Sequence, residues 1–463
     1  MTTVEGSNKY RVIGTRPMRH DAVDKVTGAA KYGADFSAPG MLHGKILRSP
    51  HAHAKILSID TSKAEAVPGV LAVATAADFP IISARALDYE NFQGNPRLIA
   101  ENIFANEKVL YKGHAIAAVA ATSQHVAEEA AALIDVKYEV LPTVLGWRDA
   151  LKDDAPLLHD QMTTRFRVER FGPGDDTGEI SNIAGHLQHK LGDIDKGFKE
   201  ADVIFEKEYE TQTVHQGYIE PQSATALWSK DDRQLKIWCS NQGHFSVRHE
   251  VSAILEIPIS QIKVIPMEIG GGFGGKITAH IEPIAALLSR KSGKPVKISL
   301  DRAEVLQCTG PTSGGVVKAK IGAKNDGVFT AVTCDIYLEA GAYPGSFIEN
   351  GCNTAFAPYD VPNLRVAGYD IVTNKPKTGA YRAPGTPNSA LAVETAVDEI
   401  SRKLKIDPVD LRLKNAADKG TRKADGTIYT EIGMIETAQS VIEHQHYAEP
   451  IPESSSKTMK VGR

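Results

Sequence analysis

Gly270-Gly271-Gly272-Phe273-Gly274-Gly275-Lys276 is the stretch on which the reading of this 463-residue chain turns. An apolar, β-branched run over 262–269 leads into it. Ile281, Ile284, Ala285 and Leu288 follow at the i, i+3, i+4, i+7 spacing of one helix face. The pattern predicts a strand, a glycine turn and a helix opening from that turn. Five glycines in seven positions leave consecutive backbone N–H groups uncovered. Such a loop can close around an anion or an oxo group, and a helix N-terminus adds a favourable dipole.

Taken alone, the loop leaves several readings open. It satisfies both G-x-x-x-x-G-K and G-x-G-x-x-G. A P-loop requires Ser or Thr after its lysine to hold magnesium, and Ile277 stands there. A dinucleotide fingerprint requires an acid at the end of the next strand, a place that Asp301 takes after the run 296–300. A purely structural glycine turn is the third reading.

Working outward, the length predicts about two to four domains. A content of 42 % hydrophobic and 24 % charged residues is that of an ordinary globular chain. A net charge of −4 with balanced signs gives no footprint for nucleic acid or a membrane surface. Residues 1–22 hold no apolar core of an export signal and no twin arginine, and no run of roughly 18 apolar residues occurs, so a cytoplasmic location is expected. Cys239, Cys308, Cys334 and Cys352 have no zinc or iron–sulfur spacing and are expected to be buried thiols. His51-Ala52-His53 and His444-Gln445-His446 read as surface pairs, and no HExxH occurs.

In order, 1–20 reads as a polar arm and 21–145 as a mixed α/β unit beginning with a turn at Asp24-Lys25-Val26-Thr27-Gly28. Ser123 is placed to cap a helix with Val126, Ala130 and Leu133 on its buried stripe. Residues 146–190 read as an irregular linker around the turn cluster Gly172-Pro173-Gly174-Asp175-Asp176, and 191–450 as a second α/β unit. Within it, strands are predicted over 203–210, 224–228, 235–240, 316–321, 328–340 and 364–372, and a helix over 389–404. Asp407-Pro408 is an N-cap followed by proline at the first helical position. The tail 451–463 is rich in Ser and Lys. Polar groups recur at turns: Gln216 and Glu220 in His215-Gln216-Gly217-Tyr218-Ile219-Glu220-Pro221, Gln242 in Ser240-Asn241-Gln242-Gly243-His244, and Arg382 in Gly379-Ala380-Tyr381-Arg382-Ala383-Pro384-Gly385. Each alone is explained as readily by a local salt bridge, a turn amide or a structural arginine.

Together these segments resemble the molybdenum-binding large subunit of the xanthine oxidase family of molybdenum hydroxylases. Asp24-Lys25-Val26-Thr27-Gly28, Arg48-Ser49-Pro50-His51-Ala52 and Val109-Leu110-Tyr111-Lys112-Gly113-His114 look like its N-terminal α/β hammerhead domain. Glu220-Pro221, Gln242, the glycine loop, Tyr381-Arg382-Ala383-Pro384-Gly385 and the run from Asp407 to Asn415 follow in family order. The resemblance implies an α+β chain, a hammerhead-like domain followed by the first mixed α/β molybdopterin-binding domain. It implies molybdopterin, in the cytosine dinucleotide form, carrying molybdenum with no direct protein ligand. It also implies oxidative hydroxylation with water as oxygen source and a glutamate as base. By residue match, Gln242 and Arg382 are the implied catalytic residues. Gln242, Gly271, Gly272, Phe273, Gly274, Gly275, Arg382 and Ala383 line the cofactor, and Ile277, Asn350 and Tyr381 line the substrate pocket.

The chain departs from the family pattern in instructive ways. The family's second cofactor domain, with its catalytic glutamate, is not found before Lys460-Val461-Gly462-Arg463, and Glu220 matches an earlier segment. The expectation is therefore a split subunit whose partner chain supplies that glutamate, with 2Fe–2S and FAD partner subunits and a complex able to dimerise. Purine-oxidising relatives carry Glu where Ile277 stands and an arginine near Asn350, and the carbon-monoxide-oxidising type needs a cysteine near Arg382. An N-heteroaromatic or aldehyde substrate remains. A scaffold that has lost its cofactor and a P-loop nucleotide binder are the alternatives.

Overall fold

The computed structural model describes residues 11–450 except 81, 83–86, 90–91, 170–171, 173 and 230–232, together with 456 and 458. The tail expected over 451–463 and the first half of the arm therefore lie largely outside the described residues. Two seven-stranded mixed sheets dominate. The first runs Ile262–Pro266, Leu235–Cys239, Ser223–Trp228, Val296–Ser299, Leu42–Arg48, Ala115–Ala121, Val70–Thr75. It draws strands from both sides of the expected linker, because Leu42 pairs in parallel with Val296. Helices Pro96–Ile103, His244–Leu255 and Glu282–Ser292 contribute to the core on one face, and Gln124–Ala132 covers part of the other. A strand covered on both faces needs no polar side, and all seven residues of Ala115–Ala121 are buried.

The second sheet runs Asp175–Ile180, Thr163–Arg167, Ile183–Leu191, Leu364–Val372, Phe329–Gly341, Gly315–Ala323, Val203–Thr211. The stretch 146–190 is thus not irregular. Its strand Asp175–Ile180 is exposed throughout, so no hydrophobic alternation announces it. Helices Ile348–Thr354 and Thr386–Leu404 cover one face, burying Val393, Val397 and Ile400 as their spacing predicts. Asp407 accepts from the N–H groups of Val409 and Asp410, so the expected cap is in place.

Other expectations are corrected. Asp24–Thr27 lies within a short helix, Ala22–Thr27, ended by Gly28 in the left-handed region, rather than forming a turn. Ser123 does cap its helix through the Val126 N–H, but the buried stripe is Ala127, Ala130 and Ala131, with Leu133 exposed. His53 is buried, with Nδ1 2.6 Å from the Pro142 carbonyl, so it is no surface residue. All four cysteines are free thiols, three of them buried and Cys308 half-buried.

After first passing from the first sheet to the second over 122–162, the chain crosses between the sheets twice more. Residues 212–222 leave the second sheet for the first, and 300–314 return. The glycine loop leaves the first sheet and the Arg382 turn leaves the second, so crossings and turns meet at one place.

Candidate active site

The glycines of the loop are required by what lies against them. A Cβ on Gly270 would fall 2.6 Å from Glu220 Cβ, one on Gly272 2.4 Å from Gln242 Oε1, and one on Gly275 2.8 Å from Gln216 Cδ. Gly274 adopts φ +105°, and a Cβ there would stand 2.6 Å from the Ala380 carbonyl oxygen. Three polar segments that are distant in sequence, 215–221, 240–244 and 379–385, are therefore in contact through this loop.

Hydrogen bonds fix the arrangement. Gln242 Oε1 accepts from the N–H of Gly274 (2.8 Å) and of Lys276 (3.3 Å), and the Gln242 N–H donates to the Lys276 carbonyl at 2.7 Å. Backbone N–H groups only donate, so they dictate which amide atom is the oxygen. The Gln242 NH2 group then points away from the loop and has no hydrogen bond among the described residues. The Arg382 N–H donates to the Phe273 carbonyl at 2.9 Å, which ties the arginine turn to the loop. Beneath both, Gln216 Nε2 donates to the carbonyls of Gly310 (2.7 Å) and Ala380 (2.8 Å).

Phe273, Arg382 and Ala383 all have positive φ, at 52°, 21° and 64°. Non-glycine residues held there cost about 1–3 kcal/mol each and gather where function requires them. Arg382 and Ala383 are exposed, as is Phe273 at 48 %, and the Arg382 guanidinium has no partner among the described residues. Ile277 is exposed beside Gly243, and Tyr381 is exposed beside Arg382. Asn350 lies on the short helix Ile348–Thr354, whose start packs on Gly385 at the end of the arginine turn.

Two sequence expectations fail here. The helix does not open from the loop, because residues 277–281 intervene and it starts at Glu282. Its N-terminal region is already occupied. Glu282 Oε2 accepts from the N–H of His280 and Ile281, and Glu250 Oε2 accepts from that of Ala279. Lys276 is also turned inward, 1 % exposed, with Nζ 2.8 Å from Glu220 Oε2. Neither the dipole nor the lysine of a P-loop is available to a phosphate.

Ser240, Glu250, His280 and Glu282 were not singled out from the sequence. Burial pushes Glu250 up to about 8, against the Ala279 N–H that lowers it. Burial likewise pushes His280 down to about 4. Glu250 could have been noticed as a lone acid among Val247, Val251 and Ile254 on a buried helix face.

Residues 176–416, more than half the chain, match the molybdopterin cofactor-binding domain. Residues 27–142 match the a/b hammerhead domain of aldehyde oxidase and xanthine dehydrogenase. The chain is also 31 % identical over 442 residues to the nicotinate dehydrogenase large molybdopterin subunit of Eubacterium barkeri, covering 94 % of this chain and 96 % of that one. This chain belongs to the molybdenum-binding subunits of the xanthine oxidase family.

Other relatives of this molybdenum-binding subunit are longer. It is 33 % identical over 409 residues to the xanthine dehydrogenase molybdenum-binding subunit of Escherichia coli, covering 87 % of this chain and 52 % of that one. Quinoline 2-oxidoreductase of Pseudomonas putida 86 superposes with a TM-score of 0.81 at 28 % identity, covering 93 % of this chain and 54 % of that one. The chain thus spans about half the length of these two. Among the described residues no group of three or more His, Cys, Asp or Glu could hold a metal ion. No helix among them is long and apolar enough to cross a membrane. The exposed donors of the loop rim, the Gln242 amide and the Arg382 guanidinium, fit a cofactor that brings its own ligands.

Proposed function

We propose that this chain binds molybdopterin cytosine dinucleotide at the rim formed by Gly271–Gly275, Gln242, Arg382 and Ala383. It serves a multi-subunit hydroxylase acting on an N-heteroaromatic or aldehyde substrate. The observation that carries this reading is the orientation of Gln242: two backbone N–H groups hold its oxygen, so the NH2 of this exposed side chain is turned away from the loop. When bound, the cofactor supplies the two-electron redox chemistry of hydroxylation with water as oxygen source. Gln242 donates to an oxygen acceptor on the cofactor. Arg382, held through its N–H to Phe273, places a cation where negative charge develops. Ile277, Asn350 and Tyr381 border the substrate.

A partner chain completes the site with the catalytic glutamate. In support, the Eubacterium barkeri subunit is matched over nearly its whole length, whereas longer relatives are matched over about half. Exposed apolar side chains also ring the site, Ile219 at 88 % and Phe245 at 75 % among them, and a bound chain would cover them. Electrons leave through 2Fe–2S and FAD subunits, as the family resemblance implies. Relatives named as a large chain and as a gamma subunit support a heteromeric assembly in general. Ile277 after the loop lysine weighs against purine. Neither Cys352 nor Cys308 is presented as a copper ligand: Cys352 is buried in the second core, and Cys308 donates to the Glu304 carbonyl.

The test is native purification through this chain. Near-stoichiometric molybdenum and pterin, with a co-purifying chain of about 300 residues, is the expected result. Turnover in 18O-labelled water should then place label in the product of a pyridine- or quinoline-type substrate. A lone chain free of molybdenum and pterin would refute the proposal.

A further inference from the structure

The loop lysine that reads in sequence as an anion ligand is the least exposed charged group at the site. Its side chain is wholly out of solvent, and its ammonium lies 4.8 Å from the centre of the buried Tyr218 ring. Burial lowers its pKa, and the adjacent Glu220 opposes that shift.

Glu220 does more than neutralise it. Oε2 accepts from Lys276 Nζ at 2.8 Å and also from the Gly270 N–H at 2.7 Å. Oε1 accepts from Ser240 Oγ at 2.5 Å, and Ser240 Oγ in turn accepts from the Gly33 N–H at 2.9 Å. The Glu220 N–H donates to the Gly270 carbonyl. One carboxylate thus grips the first and the last residue of the loop. The backbone of Lys276 also bonds Gln242 on both sides, the N–H to Oε1 and the carbonyl to the Gln242 N–H. Any shift of Lys276 therefore moves the amide that the loop orients.

We propose that Glu220 and Lys276 are a pair of positioning residues, a clasp that closes Gly270–Lys276 from beneath and so sets the direction of the Gln242 amide. The lysine binds no anion of its own. The two side chains must match, because a buried ion that loses its partner is strongly unfavourable, whereas a neutral pair of similar shape is tolerated. This rests on the cofactor reading above, yet it can be tested apart from it.

The experiment compares K276M, E220Q and the double variant E220Q/K276M in the natively purified protein. Amide hydrogen exchange by mass spectrometry reads the loop whether or not cofactor is bound. In K276M, exchange within 270–276 should accelerate at least about tenfold while the two sheets stay protected. The double variant should recover most of that protection. In parallel, K276M should lose molybdenum relative to folded protein, and the remaining Mo(V) electron paramagnetic resonance signal should change shape, with both restored in the double variant. Wild-type exchange in K276M would overturn the clasp. So would a double variant no better than the single ones, which would reduce Lys276 to a volume filler. If wild-type protein held no molybdenum, the cofactor reading would fall, and the exchange arms would still decide on the clasp.

Discussion

Replacing Gly274 by valine should empty the cofactor site without unfolding the chain. The residue sits at φ +105°, where a side chain costs about 1–3 kcal/mol. Its Cβ would also stand 2.6 Å from the Ala380 oxygen and 2.8 Å from the Ala380 carbonyl carbon. Neither atom is the free end of a flexible side chain, so the loop and the arginine turn must separate. Separation breaks the Arg382 N–H to Phe273 bond and strains the Gly274 N–H to Gln242 bond. At about 1 kcal/mol each, these bring the local cost to about 3–5 kcal/mol. Domains are stable by about 5–15 kcal/mol, so relaxing the loop alone is the cheaper response. Circular dichroism should therefore match wild type, while molybdenum per folded protein falls steeply. Gly426→Ala is the control, since Gly426 has φ +81° but nothing within 4 Å of its Cβ, and it should keep its metal. A G274V protein with a wild-type metal content would refute this account of the loop.

Other outcomes follow from the same geometry. Arg382→Met should leave molybdenum in place and lower kcat by roughly 100- to 1,000-fold with little change in KM, as loss of a transition-state charge partner does; steady-state kinetics on metal-matched samples would show it. Glu250 binds its proton more tightly in the folded chain than in the unfolded one. Its contribution to stability is therefore full below about pH 4 and is lost as pH rises toward about 8. Glu250→Gln keeps an acceptor for the Ala279 N–H and should flatten the melting temperature across that window, gaining over wild type at the alkaline end; parallel curves would contradict it. Asp407→Ala removes the acceptor of two N–H groups and should cost about 1 kcal/mol in chemical denaturation, with metal content unchanged.

Local chemistry was legible in the sequence. The helix stripes at Ile284–Leu288 and Val393–Ile400 and the Asp407 cap are each read from a few neighbouring residues. What escaped reading lies between distant partners. Lys276 points inward because Glu220, 56 positions earlier, receives it, and no local pattern encodes that. The strand Asp175–Ile180 escaped because its residues are all exposed, so the period of two has no apolar half. The late start of the helix after the loop was readable in principle, because Glu282-Pro283 places an acid and a proline in a first turn. The glycines were legible as a loop, but their real cause, close approach by Glu220, Gln242, Gln216 and Ala380, is a tertiary fact.

The pairing of Leu42 with Val296 also sets a timetable for synthesis. Strand Leu42–Arg48 cannot gain its parallel neighbour until about 250 further residues have been made. At ribosomal speeds of about 5–20 residues per second, that is a wait of about 12–50 s. During it the nascent N-terminal segment presents one unsatisfied strand edge to solvent or to a chaperone. A ribosome stalled shortly before Val296 should therefore carry a chain open to holdase binding and proteolysis, and one stalled well beyond Ser299 should carry a chain whose first sheet is already shut.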